Sequence, residues 1–224
     1  MGCDALALPL RSQNSWPVMP TSLRLERYLD QRARWPSFGR HVLAQFDDLS
    51  IVVYQAYAPE IGHPAAEHGR FVAPWSRTRM SWIKPNFLWM MYRSGWGTKQ
   101  GQEVVLAIRL RRSGFDECIA AAVESSFEPE QHPDRAAWAQ AIKQSDVRLQ
   151  WDPDHDPIGQ RQERRALQLG LRGNALHRYA DEWILSIEDI SDFVRIQRQI
   201  LQSGNIEGLH TPCEAVYEPR VSSR

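Results

Sequence analysis

Between Arg79 and Trp96 the chain reads RMSWIKPNFLWMMYRSGW, and this stretch cannot form one continuous element. Met80 to Ile83 is short and strand-like. Lys84-Pro85 then interrupts it, because proline lacks a backbone donor and is tolerated mainly at a helix start. From Asn86 the residues Phe87, Met90, Met91 and Ser94 fall on one helical face, and Gly95 is placed to end that helix. Strand, break and short helix are therefore predicted here, with Pro85 as the first helical residue. The same stretch sets Arg79, Lys84 and Arg93 among Trp82, Trp89, Tyr92 and Trp96. A buried cation needs a partner. Either the segment is a core element with charged edges, or it walls a pocket for something anionic or planar.

The rest of the chain reads as strands and helices mixed without a regular alternation. Residues 1–22 hold three prolines and no periodicity and are expected to form a flexible tail. Residues 23–218 are expected to form a single α+β domain, followed by a short tail over 219–224. Leu23 to Arg34 reads as a short helix. His41 to Phe46 and Ser50 to Tyr57 read as a hairpin around Asp47-Asp48. Pro59 to His68 is predicted helical with Gly69 at its C-terminus. Val104 to Leu110 reads as a buried strand, followed by a helix capped by Ser113. A helix over Pro133 to Gln144, strands over Val147 to Trp151, Arg165 to Leu171 and Glu182 to Ile187, a short helix over Asn174 to Ala180, and an amphipathic helix over Ile190 to Leu201 complete the pattern. Neither GxGxxG nor GxxxxGK[ST] occurs, so a mixed or antiparallel, possibly split, sheet flanked by helices fits better than a doubly wound one.

The formal net charge of the 224 residues is zero. General nucleic-acid binding rests on a basic surface, so this balance argues against it but leaves room for a local basic pocket. Cys3, Cys118 and Cys213 form no CxxC and no zinc spacing, and a reducing cytoplasm is the expected compartment. No apolar run approaches the length of a membrane span, so no membrane partner is expected. Asp152, Asp154 and Asp156 alternate around His155, but Pro153 and Pro157 and the missing Ca²⁺-loop glycine depart from that pattern, so they read as an acidic turn, and no metal is expected.

Gln55 and Tyr57 lie two apart on one strand and so share a face. They line a pocket or simply occupy one side of a half-solvated strand; the pattern allows both. Arg79, Ser81, Lys84 and Arg93 form a candidate anion site, and Tyr92 is a further candidate cofactor-binding residue. Lys84 beside the expected helix start would add the favourable end of the helix dipole. The competing reading is that these cations merely lay their stems over tryptophan rings.

The segments Tyr54–Tyr57, Pro59–Ile61, Arg79–Pro85, Phe87–Trp96, Val147–Pro153 and Asp181–Asp189 together resemble domain of unknown function family 4291, over roughly His41 to Tyr217. More remotely, the chain is similar to the ADP-ribosyltransferase fold. Val53-Tyr54-Gln55-Ala56-Tyr57 stands where that fold has its first strand, and Asp181-Glu182 with the following strand stands where it carries a catalytic glutamate. Gln55 replaces a His or Arg of that pattern, and Ala56 replaces a Gly. The resemblance implies an ADP-ribosyltransferase-like enzyme using NAD, with Glu182 stabilising the ribosyl cation. It implies Gln55 and Tyr57 at the nicotinamide end, and Arg79, Lys84 and Arg93 at the phosphates. The acceptor is left open. Two other readings stand beside it. One is a non-catalytic module for a nucleotide-like small molecule or single-stranded nucleic acid. The other is a protein-interaction domain whose tryptophans are all core.

Overall fold

A computed structural model describes residues 23–220; the expected N-terminal tail and Cys3 lie outside them. The described chain enters through β1 (Leu25–Arg27), α1 (Tyr28–Arg32) and the two-residue strands β2 (Gly39–Arg40) and β3 (Leu43–Ala44). β4 (Ser50–Tyr57) leads into α2 (Pro59–His68), β5 (Ser81–Ile83) into α3 (Phe87–Ser94), and β6 (Val104–Arg111) into α4 (Arg112–Ala121). After β7 (Val123–Glu124) and α5 (Arg135–Gln144) come β8 (Val147–His155) and β9 (Arg161–Leu171). Helix α6 (Gly173–Arg178) runs into a π-helical turn, Tyr179–Trp183, before β10 (Ile184–Asp189), α7 (Ser191–Gln202), β11 (His210–Pro212) and β12 (Ala215–Val216).

These elements make an α+β fold with two principal sheets. β10, β6 and β4 form a three-stranded antiparallel sheet. β2, β9, β8 and β7 form the second, to which β5 adds by pairing with β9. Side chains alternate across a strand, and both faces of β4 and β6 are covered. Ile51, Val53, Leu106 and Ile108 join a core with Phe71, Leu167, Leu169 and Tyr179. Val52, Tyr54, Val105 and Ala107 join another with Phe87, Met90, Met91 and Phe193. Burial on both sides explains why these two strands read as nearly unbroken apolar runs.

Several local expectations are corrected by tertiary contacts. Leu23 to Arg34 is not one helix, because Leu25–Arg27 pairs antiparallel with β11. His41 to Phe46 does not form a hairpin with β4; Leu43–Ala44 pairs with β12, and only a Phe46–Ile51 bridge survives at the turn. Helix α3 starts at Phe87 rather than Pro85. The Asn86 side chain accepts from the Trp89 amide at 2.6 Å, and the Glu214 carboxyl oxygen accepts from the Phe87 amide at 2.7 Å, so two orphan donors of the first turn are satisfied there. Gly95 closes the helix in the left-handed region, with φ of 58°. Ser113 does not cap α4; the helix starts directly from β6, and the Arg112 amide is held by the Leu49 carbonyl at 2.8 Å. The acidic stretch is strand rather than turn as far as His155. Asp154 lies buried there against Arg164 at 2.8 Å, and Asp156 alone organises the turn by accepting from Ile158 and Gln160 amides.

Candidate functional site

The two principal sheets meet where β5 passes β4. Ser81–Ile83 pairs with β9, and the next residue, Lys84, makes an antiparallel bridge with Tyr54. A cavity of about 500 Å³ opens at this seam, with Gln55, Tyr57, Arg79, Ser81, Lys84 and Arg93 all in its wall. Six of the eight candidate residues are thus brought to one concavity. Trp75, Trp82 and Met90 complete its apolar wall.

The floor is a fixed polar network. The Gln55 side-chain amide donates to Ser81 Oγ at 2.8 Å and to the Trp82 carbonyl at 3.1 Å, while its oxygen accepts from the Tyr179 hydroxyl at 2.7 Å. Tyr57 and Ser81 share a hydroxyl–hydroxyl bond of 3.0 Å, and Trp75 Nε1 donates to the Tyr57 oxygen at 3.1 Å. Gln55 and Tyr57 do share a face, as their spacing predicts. Gln55 has both amide donors and its oxygen engaged, so it positions Ser81 rather than presenting free groups to a ligand. The two hydroxyls of Tyr57 and Ser81 carry two protons and use one in their mutual bond. The other is left to donate into the cavity. Burial raises the Tyr57 pKa, which keeps the phenol protonated.

The upper wall is cationic. Lys84 is only 6% exposed, and its ammonium makes no hydrogen bond or ion pair among the described residues. Burial, followed by the nearby Arg93 charge, pushes its pKa down to about 8. Asp152 acts in the opposite sense, but its oxygens accept from Gln150 at 2.8 Å and Gln168 at 2.6 Å. Arg79 and Arg93 are exposed and line the same cavity. Among the described residues, no Asp or Glu side chain is in the lining. Three cations without a carboxylate between them leave a local positive field in a chain of zero net charge.

Glu182 and Tyr92 are placed elsewhere. Glu182 sits in the π-helical turn before β10, not at the start of a strand, and does not line the cavity. Its carboxylate accepts from Arg178 Nε at 3.1 Å, and the same guanidinium meets Glu117. Tyr92 stacks on His155 with ring centres 3.5 Å apart and on Trp89 at 5.5 Å. It lines a separate depression with Trp96, Pro157 and Ile158. Cys118 lies in the core, where burial pushes its thiol up to about 12, which disfavours the reactive thiolate at neutral pH.

Trp75 and Tyr179 are site residues that sequence reasoning missed. Trp75 lies in an irregular segment after α2 and stacks on Phe71 at 4.5 Å; Tyr179 enters from the π-helical turn. The Trp75 segment has no periodicity that would assign its side chains to a face, and the short helix expected over Asn174 to Ala180 does not show that Tyr179 reaches Gln55, 124 residues away. Among the described residues, no group of three or more His, Cys, Asp or Glu side chains is arranged to hold a metal ion, and no helix is long and apolar enough to cross a membrane.

No curated protein matches the sequence significantly. Residues 41–217, which include both principal sheets from β4 onward and every residue of the cavity wall, match a family described as Domain of unknown function (DUF4291). The chain therefore belongs to the DUF4291 family.

Proposed function

We propose that the seam cavity binds a phosphate-bearing nucleotide of the NAD and ADP-ribose class. The observation that carries this reading is the cationic wall: Lys84, Arg79 and Arg93 line one concavity to which no carboxylate of the described residues contributes. A buried ammonium without a partner costs stability, and a bound phosphate would offset that cost. Guanidinium groups add bidentate phosphate contacts. The rings of Trp75, Trp82 and Tyr57 offer flat apolar surface for a base, and the spare hydroxyl proton of the Tyr57–Ser81 pair suits a ribose or carboxamide oxygen. The volume of about 500 Å³ suits a small molecule better than a long strand.

The similarity to ADP-ribosyltransferases supplies NAD as the first ligand to try. Transfer of ADP-ribose needs a carboxylate against the ribose where positive charge develops. Glu182 does not line the cavity, and among the described residues no other acid does, so binding is the activity that this geometry supports.

Calorimetric titration with NAD, ADP-ribose, ADP and adenosine tests the reading. Affinity should rise from adenosine to the phosphorylated ligands and fall in the Arg79→Ala, Arg93→Ala double variant. Equal affinity for adenosine and ADP, or no heat with any of the four, would contradict it. Tighter, steeply salt-dependent binding of a single-stranded oligonucleotide would instead indicate a nucleic-acid module.

A further inference from the structure

The chain has 27 Lys and Arg residues, and only three of them, Lys84, Lys99 and Lys143, are lysines. The cavity uses arginine at positions 79 and 93 but an amine at the one cationic position that is buried. Arginine stays charged in proteins and is the better fork for phosphate, whereas a desolvated lysine can release its proton and act as a nucleophile. Lys84 is held at its backbone on both sides by Tyr54, at 2.7 and 3.2 Å. Its ammonium has no partner among the described residues, and Arg93 adds like charge.

We propose that Lys84 condenses reversibly with the open-chain aldehyde of a phosphate-bearing sugar held in this cavity, forming an imine. The inference rests on the reading that the cavity takes phosphate-bearing nucleotides. It names ADP-ribose, whose terminal ribose opens to an aldehyde, as a ligand that could react. The neutral amine adds to the carbonyl carbon to give a carbinolamine. The C–O bond then breaks, the oxygen leaves as water with the two amine protons, and a C=N bond remains. No oxidant, reductant or metal enters the balance. Arg79 and Arg93 hold the phosphates, and the spare proton of the Tyr57–Ser81 hydroxyl pair lies on the same cavity wall to assist departure of the hydroxyl. With its pKa pushed down to about 8, roughly a tenth of the amine is neutral at pH 7, far more than for an exposed lysine.

The full chain incubated with ADP-ribose and sodium cyanoborohydride, then analysed by peptide mass mapping, tests the step. The expected result is one reduced adduct on Lys84, with Lys99 and Lys143 unmodified although both are exposed, and no adduct at position 84 in Lys84→Arg. The comparison among three lysines of the wild-type chain stands even if that variant folds poorly. Calorimetry with ADP-ribose and with ADP, without reductant, runs in parallel. Binding with no adduct, or an adduct spread equally over the three lysines, would overturn the imine and leave nucleotide binding intact. Absence of binding by either ligand, with no adduct, would overturn both.

Discussion

The Tyr54 amide donates to the Lys84 carbonyl at 2.7 Å, and the Lys84 amide donates back to the Tyr54 carbonyl at 3.2 Å. This two-bond bridge sews the end of β5 to the middle of β4 and so joins the two principal sheets. The Tyr54 side chain belongs to one core, packed edge-on against Phe87 with ring centres 5.5 Å apart. The Lys84 side chain lines the cavity. A buried cation is thereby fixed in place by backbone bonds that its own charge does nothing to form.

Replacing Lys84 by Met should stabilise the protein near neutral pH. The folded pKa of about 8 lies below the 10.5 of an ordinary lysine, so below pH 8 the charged amine is buried at full cost. Between these two values the unfolded chain binds more protons, and stability rises with pH; above both, the cost is gone. The gap corresponds to roughly 3 kcal/mol. Urea midpoints at pH 7 and pH 10 should show Lys84→Met ahead of wild type at the lower pH by about 2 kcal/mol, and the difference closing at the higher. A variant that is less stable at pH 7 would show that the ammonium has a partner.

Gln55→Leu should be costly for a residue on a cavity floor. It removes the acceptor of the fully buried Tyr179 hydroxyl and the donor to Ser81. Buried polar groups left without partners cost about 1–3 kcal/mol each. A drop of about 2–4 kcal/mol in unfolding free energy is expected. A loss below about 0.5 kcal/mol would mean that the network does not hold the floor together.

Glu214 is fully buried and caps the start of α3, and burial raises its pKa well above the ordinary carboxylate value. Its folded form therefore keeps a proton that the unfolded chain releases. The stability it supports is present at low pH and is lost as pH rises above the unfolded value. Glu214→Gln keeps an acceptor for the Phe87 amide without the ionisation. Melting temperatures at pH 5 and pH 8 should differ less in this variant than in wild type. A steeper pH dependence in Glu214→Gln would refute the assignment.

Glu182→Gln should leave nucleotide affinity unchanged. The side chain is 57% exposed and pairs with Arg178, and such surface pairs contribute about 0–1 kcal/mol. A tenfold loss of NAD affinity in this variant would bring Glu182 back to the cavity and revive a transfer mechanism through it.

Much of the framework was legible because its signals are local. Ser50–Tyr57 and Pro59–His68 have the bounds that their apolar run, Pro59 and Gly69 predict. Strand alternation paired Gln55 with Tyr57, and cations set among aromatics picked out Arg79, Ser81, Lys84 and Arg93; the resemblance to ADP-ribosyltransferases joined the two sets. What was not legible depends on partners distant in sequence. The start of α3 was misplaced because Glu214, 127 residues away, holds the Phe87 amide. Glu182 looked like a strand-start acid, but a π-helical turn keeps it outside the strand and Arg178, four residues back, takes its carboxylate. Tyr92 points toward function by composition, but its ring is already matched by His155 and Trp89.

Lys84, Arg79 and Arg93 have no carboxylate beside them in the cavity among the described residues, and in the proposed reading a phosphate-bearing nucleotide meets them. Calorimetric titration of ADP-ribose into wild type and Lys84→Met, at one pH and one salt concentration, tests it most directly. Saturable 1:1 binding by wild type, weakened about tenfold or more in a folded Lys84→Met, is the expected result. Equal affinity of the two proteins, or no binding by wild type, would contradict it.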